Sequence, residues 1–308
     1  MDDNAQLFII TGATGFIGGH VLTELLITGH SVIGITRDNS APNLKKHQNL
    51  KWVTWHEFNC SKDSLNDKIA CVIHLATDYG RNGADSSEIS YSNCQRPKDL
   101  FDTAISMGAK KIIFADTFYG KPQFEYPHLD AYTRSKRKLL EWCISRSTDC
   151  DTRFLNVRFE HVFGPNDSKD KFIPQIIHKL VNLEFPIELT DGNQKRDFIY
   201  IDDLVAALII LIKTSSTKRF EEYEVGNGYS VSVQTMVRML AKIYGKDSSI
   251  LRFGAIKTRQ KEIMESCANI KPLCRLGWRP TWNLEDALFD LKMRQDEVSE
   301  LKINNNEG

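Results

Sequence analysis

Long apolar runs are missing from this 308-residue chain. No stretch approaches the roughly 18 consecutive apolar residues that a membrane-spanning helix needs, so no membrane partner is expected. An excess of one charge is missing too. Lys and Arg total 40, and so do Asp and Glu. That balance leaves no electrostatic footprint for a nucleic-acid partner. The small cluster Lys45, Lys46, His47 reads as a solvated loop. The opening stretch MDDNAQLFII carries acids where a secretion signal would carry bases. Cysteine patterning is absent as well: Cys60, Cys71, Cys94, Cys143, Cys150, Cys267 and Cys274 are scattered, odd in number, and contain no Cys-x-x-Cys pair. A disulfide framework and a zinc site are therefore not expected, no metal is assigned, and reduced thiols point to a cytoplasmic location. No internal repeat and no low-complexity linker interrupts the chain.

What is present is an alternation. Leu7 to Thr11 is a short apolar run that meets a glycine turn at once, as a buried parallel strand does. Phe16, Ile17, Val21, Leu22, Leu25 and Leu26 recur at helical spacing, and Gly29 stops that helix. Ser31 to Ile35 reads as the next strand. Further strands are expected at Ala70–Leu75, Lys111–Phe114, Phe154–Val157 and Phe198–Tyr200. Helices are expected at Cys94–Met107, Tyr132–Ser147, Ile173–Leu183, Leu204–Lys213 and Val231–Tyr244, with a frayed polar tail at Asn304–Asn306. Strands apolar on both faces, alternating with helices, imply an α/β fold: a Rossmann-like doubly wound parallel sheet with helices on both sides. The pattern weakens after Gly164-Pro165. The expected division is a cofactor domain over 1–165, to which a segment near 198–213 returns, and a smaller substrate domain over 166–308.

Between the first strand and helix lies Thr11-Gly12-Ala13-Thr14-Gly15-Phe16-Ile17-Gly18. Glycines at this spacing allow a tight turn and close approach of the backbone to a pyrophosphate. The helix N-terminus then offers free N–H groups and the positive end of its dipole. Gly12, Thr14, Gly15, Phe16, Ile17 and Gly18 are thus candidate cofactor contacts. A dinucleotide site that selects NAD usually has an acid at the end of the second strand, on the ribose 2′-hydroxyl. Here Thr36 occupies that place and Arg37 follows. A hydroxyl beside a guanidinium suits a 2′-phosphate, so NADP(H) is the expected cofactor. Asp38 is the competing residue, since a shift of one position would restore the acid.

Tyr132 and Lys136 stand four apart at the start of an expected helix, on one face. An ammonium beside a phenol favours the phenolate and would bring its pKa from near 10 toward working pH. With the glycine turn, this pair makes the chain resemble the extended short-chain dehydrogenase/reductases, the NAD-dependent epimerase/dehydratase family. The resemblance spans nearly the whole length. Ile73-His74-Leu75-Ala76-Thr77 looks like the family's fourth-strand motif, which puts Leu75, Ala76 and Thr77 beside the cofactor. Asn93 looks like the asparagine opening the following helix. Phe163-Gly164-Pro165 matches the end of the sixth strand, and Arg196-Asp197-Phe198-Ile199-Tyr200-Ile201-Asp202-Asp203 matches the late motif whose arginine meets the nucleotide-sugar. Within the family, the chain resembles the reductases that make CDP-abequose and CDP-paratose. That likeness is carried by His74 to Gly80, Arg158 to Pro165, Lys171-Phe172-Ile173-Pro174, and Phe253 to Ile256 through Glu262-Ile263-Met264.

The resemblance implies NADPH-dependent reduction of the 4-keto group of a CDP- or TDP-linked 6-deoxy or 3,6-dideoxy hexose, in the making of bacterial surface polysaccharide such as O-antigen. It implies that Tyr132 gives the proton and that Lys136 lowers the tyrosine pKa and holds the nicotinamide ribose. It also implies substrate contacts at Tyr79, His161, Lys171, Phe172, Arg196 and Arg259, and a homodimer joined through paired helices. Two positions depart from the family pattern. The Ser or Thr expected at the end of the fifth strand is Ala115, which leaves Thr117 as the nearest hydroxyl on that side if the strand continues. The asparagine expected before Gly-Pro is His161. Three rivals stay open: a 4-epimerase with tightly held NAD, a dehydratase using Asp116 as its acid, and a non-catalytic NADP sensor.

Overall fold

The computed structural model describes residues 5–37, 46–60, 68–80, 83 and 85–306, with side chains to 297. Asp38 and Lys45 lie outside the described residues. The chain divides into two units. One comprises 1–159 and 205–224, and the other 160–204 and 225–308. The division thus falls at Phe159, short of Pro165, and the segment that rejoins the first unit is 205–224 where 198–213 was expected.

The first unit is a seven-stranded parallel sheet flanked by helices. In chain order its elements are β1 (Leu7–Thr11), α1 (Phe16–Ile27), β2 (Ser31–Thr36), β3 (Leu50–Thr54), α2 (Trp55–Cys60), β4 (Ile69–His74), α3 (Ser86–Ser90), α4 (Arg96–Ser106), β5 (Lys111–Thr117), α5 (Asp130–Arg146) and β6 (Arg153–Phe159). The strand Phe220–Val225 joins beside β6, so the order is this strand, β6, β5, β4, β1, β2, β3. All of β1 and all of β5 are buried, as strands covered on both faces must be. The helix α1 buries Val21, Leu22, Leu25 and Leu26 along one stripe. It stops where Gly29, at φ +82°, lets its N–H reach Leu26 O at 3.1 Å and that of His30 reach Leu25 O at 3.0 Å.

From β1 the chain runs outward to β2 and β3, then crosses back to β4, β5 and β6 on the other side of β1. The order therefore reverses between β1 and β4. In open α/β sheets the crevice at such a reversal, beyond the strand C-termini, is where ligands bind. The glycine turn after β1 and the stretch Leu75–Tyr79 after β4 both leave from this place.

The strand Phe220–Val225 escaped the sequence reading because its sequence, FEEYEV, holds three glutamates. Each is paired: Glu221 with Arg153 at 2.8 Å, Glu222 with Arg158 at 2.6 Å, and Glu224 with Lys121 at 3.0 Å. Tyr223 and Val225 supply the buried face. The expected helix at Cys94–Met107 begins earlier, as α3, and passes through a π-helical turn at Tyr91–Gln95 before α4.

In the second unit, His161–Phe163 pairs in parallel with Phe198–Tyr200. Lys195–Arg196 pairs antiparallel with Val231–Ser232, and Ile187–Glu188 in parallel with Leu251–Arg252. Its helices include Phe172–Val181, Val233–Ile243 and Leu284–Asn306, the last running through the tail expected to fray. Leu284, Ala287, Leu288 and Leu291 are buried at helical spacing on that helix. No helix among the described residues is long and apolar enough to cross a membrane, and no cluster of potential metal ligands occurs among them.

Candidate active site

The glycine turn is closed by steric necessity. Gly12 sits at φ +72°, and a Cβ there would come 2.7 Å from the Ala76 nitrogen. A Cβ on Gly18 would come 2.1 Å from Gly12 O. Both approaches are impossible for a side chain, so the helix packs against the turn only with glycine at these two places. Thr14 and Gly15 are exposed at the opening. Gly15 is the N-cap of α1, and no side chain caps that end. An exposed helix N-terminus without a side-chain cap, approached by a bare backbone turn, fits a dinucleotide pyrophosphate. Phe16 and Ile17 are half-buried in the first helical turn.

The neighbouring strand is tied to the turn through Thr11. Its carbonyl accepts from Leu75 N at 3.2 Å, and its hydroxyl from Ala76 N at 3.2 Å. The same hydroxyl meets His74 Nδ1 at 2.7 Å. Burial and the Lys136 cation hold His74 well below the usual histidine range, so it is a neutral structural group. At the end of β2, Thr36 is buried and turned toward Val53 O at 3.4 Å. Arg37 is the first exposed residue beyond it.

Asn93 is wholly buried in the π-helical turn. Its carbonyl oxygen accepts from Asp78 N at 2.7 Å, and its amide donates to Asp78 O at 2.7 Å and to Ser135 Oγ at 3.1 Å. Thr77 Oγ1 lies 3.5 Å from the same carbonyl oxygen. Asn93 is thus a clamp between the loop after β4 and α5.

β5 continues through Thr117, which settles the local geometry at the departure Ala115. Residues two apart on a strand share a side. Thr117 neighbours the Tyr132 hydroxyl and favours its anion. The Thr117 oxygen also accepts from Tyr119 N at 3.3 Å, so it caps the short turn that follows. Tyr132 is 3% exposed. Burial, then the neighbouring Tyr79 and Asp116, push its phenol well above the usual value, against the opposing pull of Thr117. Lys136 is buried too and donates to Ala115 O at 2.9 Å. Burial brings its ammonium down to about 8, with Asp116 opposing. The sequence led us to expect Lys136 to lower the tyrosine pKa. Here desolvation outweighs any such effect, and the phenol is a neutral acid that holds its proton.

Asp116 anchors the region. Its carboxylate accepts from Thr117 N at 2.8 Å, Arg158 Nε at 2.9 Å and Asn156 Nδ2 at 3.2 Å. Arg158 and Asn156 then both reach Glu222. The sequence reading missed Arg158, Asn156 and Glu222 as part of this network because they come from distant strands. An apolar strand carrying Asn and Arg at alternate positions was the available signal.

In the second unit, Arg196 is buried and ion-paired with Glu262, and its Nη1 donates to Lys195 O at 2.8 Å. Burial, with Arg196 and Lys171 as neighbouring cations, pulls His161 down to about 3, so its ring is neutral. Lys171 pairs with Asp167 at 2.8 Å, and Phe172 and Arg259 are exposed. The late motif separates into two jobs. Asp197 accepts from Asn227 N at 2.6 Å, Gly228 N at 2.9 Å and Ala268 N at 3.0 Å. Asp203 accepts from Thr281 N at 2.9 Å and Trp282 N at 3.0 Å. These two acids hold loops together, while Arg196 is buried in its ion pair with Glu262.

A sheet reversal beside an open glycine turn, with a tyrosine and lysine one helical turn apart, defines a nicotinamide-dinucleotide enzyme of the extended short-chain dehydrogenase/reductase type. The chain belongs to the NAD dependent epimerase/dehydratase family, whose profile matches residues 8–226. It is 37% identical over 293 residues to the CDP-abequose synthase of Salmonella typhimurium, covering 94% of this chain and 98% of that one. It is 26% identical to the dTDP-4-dehydro-6-deoxyglucose reductase of Escherichia coli, covering 94% and 98%. Among solved structures, MoeE5 in complex with UDP-glucuronic acid and NAD superposes with a TM-score of 0.77 at 24% identity, over 94% of this chain and 99% of that one. The protein is thus an enzyme of the nucleotide-sugar epimerase, dehydratase and reductase group.

Proposed function

We propose that the protein uses NADPH to reduce the 4-keto group of a CDP- or TDP-linked 6-deoxy or 3,6-dideoxy hexose. The observation that carries this reading is the buried Tyr132 of α5 beside Thr117 at the buried end of β5. The 37% identity to a CDP-abequose synthase supports the substrate class. When bound, the reduced nicotinamide supplies the hydride. Gly12, Thr14, Gly15 and the first turn of α1 hold the pyrophosphate, and Arg37 meets the 2′-phosphate. Leu75, Ala76 and Thr77 line the cofactor, and Lys136 faces its ribose.

The chain's own part is proton and charge management. As the carbonyl accepts hydride, its oxygen becomes an alkoxide. Tyr132, kept neutral by burial, donates its proton to that oxygen. Thr117 stabilises the charge that develops on the way. Arg196, Lys171 and Arg259 serve the diphosphate, where charge-assisted bonds are strongest. His161, a neutral ring, can donate to phosphate or sugar, and Phe172 packs on the nucleotide side. Incubation with NADPH and CDP- or TDP-linked 4-keto-6-deoxy sugars tests the reading. Loss of absorbance at 340 nm and a reduced C4 by NMR are the expected result.

A second reading is a 4-epimerase, favoured by 27% identity to a UDP-glucuronate 4-epimerase of Thermodesulfobacterium geofontis. Such a protein would release NAD on denaturation and show no net oxidation of added NADPH.

A further inference from the structure

We propose that Arg158 is a positioning residue for Lys136: by holding the Asp116 carboxylate, it keeps that anion from capturing the ammonium that meets the cofactor ribose. The proposal rests on the place given to Lys136 above and not on the identity of the sugar. Two anions and two cations gather here, all within the first unit: Asp116 on β5, Arg158 on β6, Glu222 on the strand Phe220–Val225, and Lys136 on α5. Lys136 Nζ donates to Ala115 O at 2.9 Å. That carbonyl belongs to the peptide joining Ala115 to Asp116, so the ammonium stands at the foot of Asp116. The charge of Asp116 acts on Lys136 accordingly.

Asp116 stands opposite Arg158 in the register of β5 and β6. Arg158 Nε donates to Asp116 Oδ2 at 2.9 Å, and its Nη2 to Glu222 Oε2 at 2.6 Å. Asn156 Nδ2 donates to the same two oxygens, at 3.2 Å and 2.8 Å. Two carboxylate oxygens thus share one guanidinium and one amide. Without the guanidinium, each would keep only a shared amide. Exposure decides which of them must then find another cation. The Glu222 side chain is 40% exposed and can turn to water, whereas that of Asp116 is 6% exposed. The other Asp116 oxygen already accepts from Thr117 N at 2.8 Å. A buried carboxylate left without a cation is costly, and Lys136 stands beside this one. Its ammonium is a point charge on a flexible stem, free to swing to such a partner. The planar fork of Arg158 serves both carboxylates at once and leaves Lys136 to a neutral carbonyl. An ammonium has three donors, so its bond to Ala115 O leaves two for ribose hydroxyls.

Cofactor affinity reads this without any sugar, by fluorescence titration with NADPH, or with NADH if the wild type binds it more tightly. Arg158→Gln should weaken binding by roughly tenfold or more, the size of a lost charge-assisted contact. Adding Asp116→Asn should bring affinity back to within about twofold of wild type, because no anion is left to draw Lys136. A merely structural role would leave the double variant at least as weak as Arg158→Gln, and that result overturns the proposal. Wild-type affinity in Arg158→Gln also overturns it. Glu222→Gln leaves the fork on Asp116 and should keep wild-type affinity. A loss there as large as in Arg158→Gln would assign the effect to the network as a whole and overturn the role. Should Arg158→Gln fail to fold, the double variant is compared with Asp116→Asn alone: equal affinity supports the proposal, and a gap of about tenfold overturns it. The expected pattern in a protein inert toward every 4-keto sugar would remove the reductase reading and leave the positioning role standing. Its absence in a protein that reduces such a sugar would remove the positioning role alone.

Discussion

Two buried polar clusters in this chain answer the cost of burial in opposite ways. In the second unit, Asp197 is enclosed by three backbone N–H donors, and every bond it makes ties one loop to another. Burial still pushes its carboxyl upward, against those donors. Beside the end of β5, the phenol of Tyr132 is also buried, and its neighbours include the hydroxyls of Tyr79 and Thr117 as well as the Asp116 carboxylate. Hydroxyls can both give and accept, so such neighbours can change roles when the phenol gives up its proton. Asp197 can only accept while ionised. The lesson is that burial alone does not mark a reactive group. What marks it is whether its partners can change roles.

Mutations should separate the two clusters. Tyr132→Phe removes the proposed acid and should lower kcat by roughly 10²–10⁴. Urea midpoint and NADPH affinity should stay near wild type, and a Phe variant with full turnover would remove Tyr132 from the mechanism. Thr117→Val keeps the shape and should lower kcat by roughly 10²–10³, as for a lost oxyanion donor. Full activity at saturating NADPH and substrate would reduce Thr117 to its capping bond with Tyr119.

Asp197→Ala should do the reverse. It strands three backbone donors, each worth about 1–3 kcal/mol when buried and unsatisfied, so stability should fall by about 3 kcal/mol or more. Urea unfolding at pH 7 measures this, and an unchanged midpoint would erase the contrast drawn above. Arg37→Ala should weaken NADPH by roughly 10–100-fold, the equivalent of about 1.5–3 kcal/mol for a charged hydrogen bond. NADH should be little affected. Equal weakening of both, by titration of cofactor fluorescence, would show that Arg37 does not read the 2′-phosphate.

The smallest effect concerns pH. The folded pKa of His161 is lowered to about 3, below its ordinary 6.5. Between these values the unfolded chain binds a proton that the folded chain refuses. Stability linked to His161 is therefore full above about 6.5 and is lost as pH falls toward 3. His161→Asn should flatten the fall in urea midpoint between pH 7 and 4.5. His74, also held neutral, keeps part of the slope in that variant.

Much of the first unit could be read from residues alone. Each strand of β1, β2, β4, β5 and β6 is an apolar run near a glycine or a helix pattern, and the glycine turn lay where a strand meets a helix. β3 and the strand Phe220–Val225 could not be read that way. Lys51 and three glutamates hide the alternation, and the glutamates are tolerable only because Arg153, Arg158 and Lys121 stand opposite. The late motif was recognised as a unit, yet it divides. Asp197 and Asp203 serve architecture, while Arg196 faces Glu262, which lies 66 residues away in sequence.

The sequence by itself determined the doubly wound class, the place of the phosphate turn, and the placement of Tyr132 and Lys136 one helical turn apart on α5. All three depend on local spacing: apolar period, glycine period, and four residues along a helix. Only the tertiary structure decided how protons are held. Whether Tyr132 is acid or anion depends on desolvation and on Tyr79, Asp116 and Thr117, which two separate segments bring to it. Electrostatic energies depend on distance through space and on exposure to water. Neither quantity is written in the order of residues along the chain.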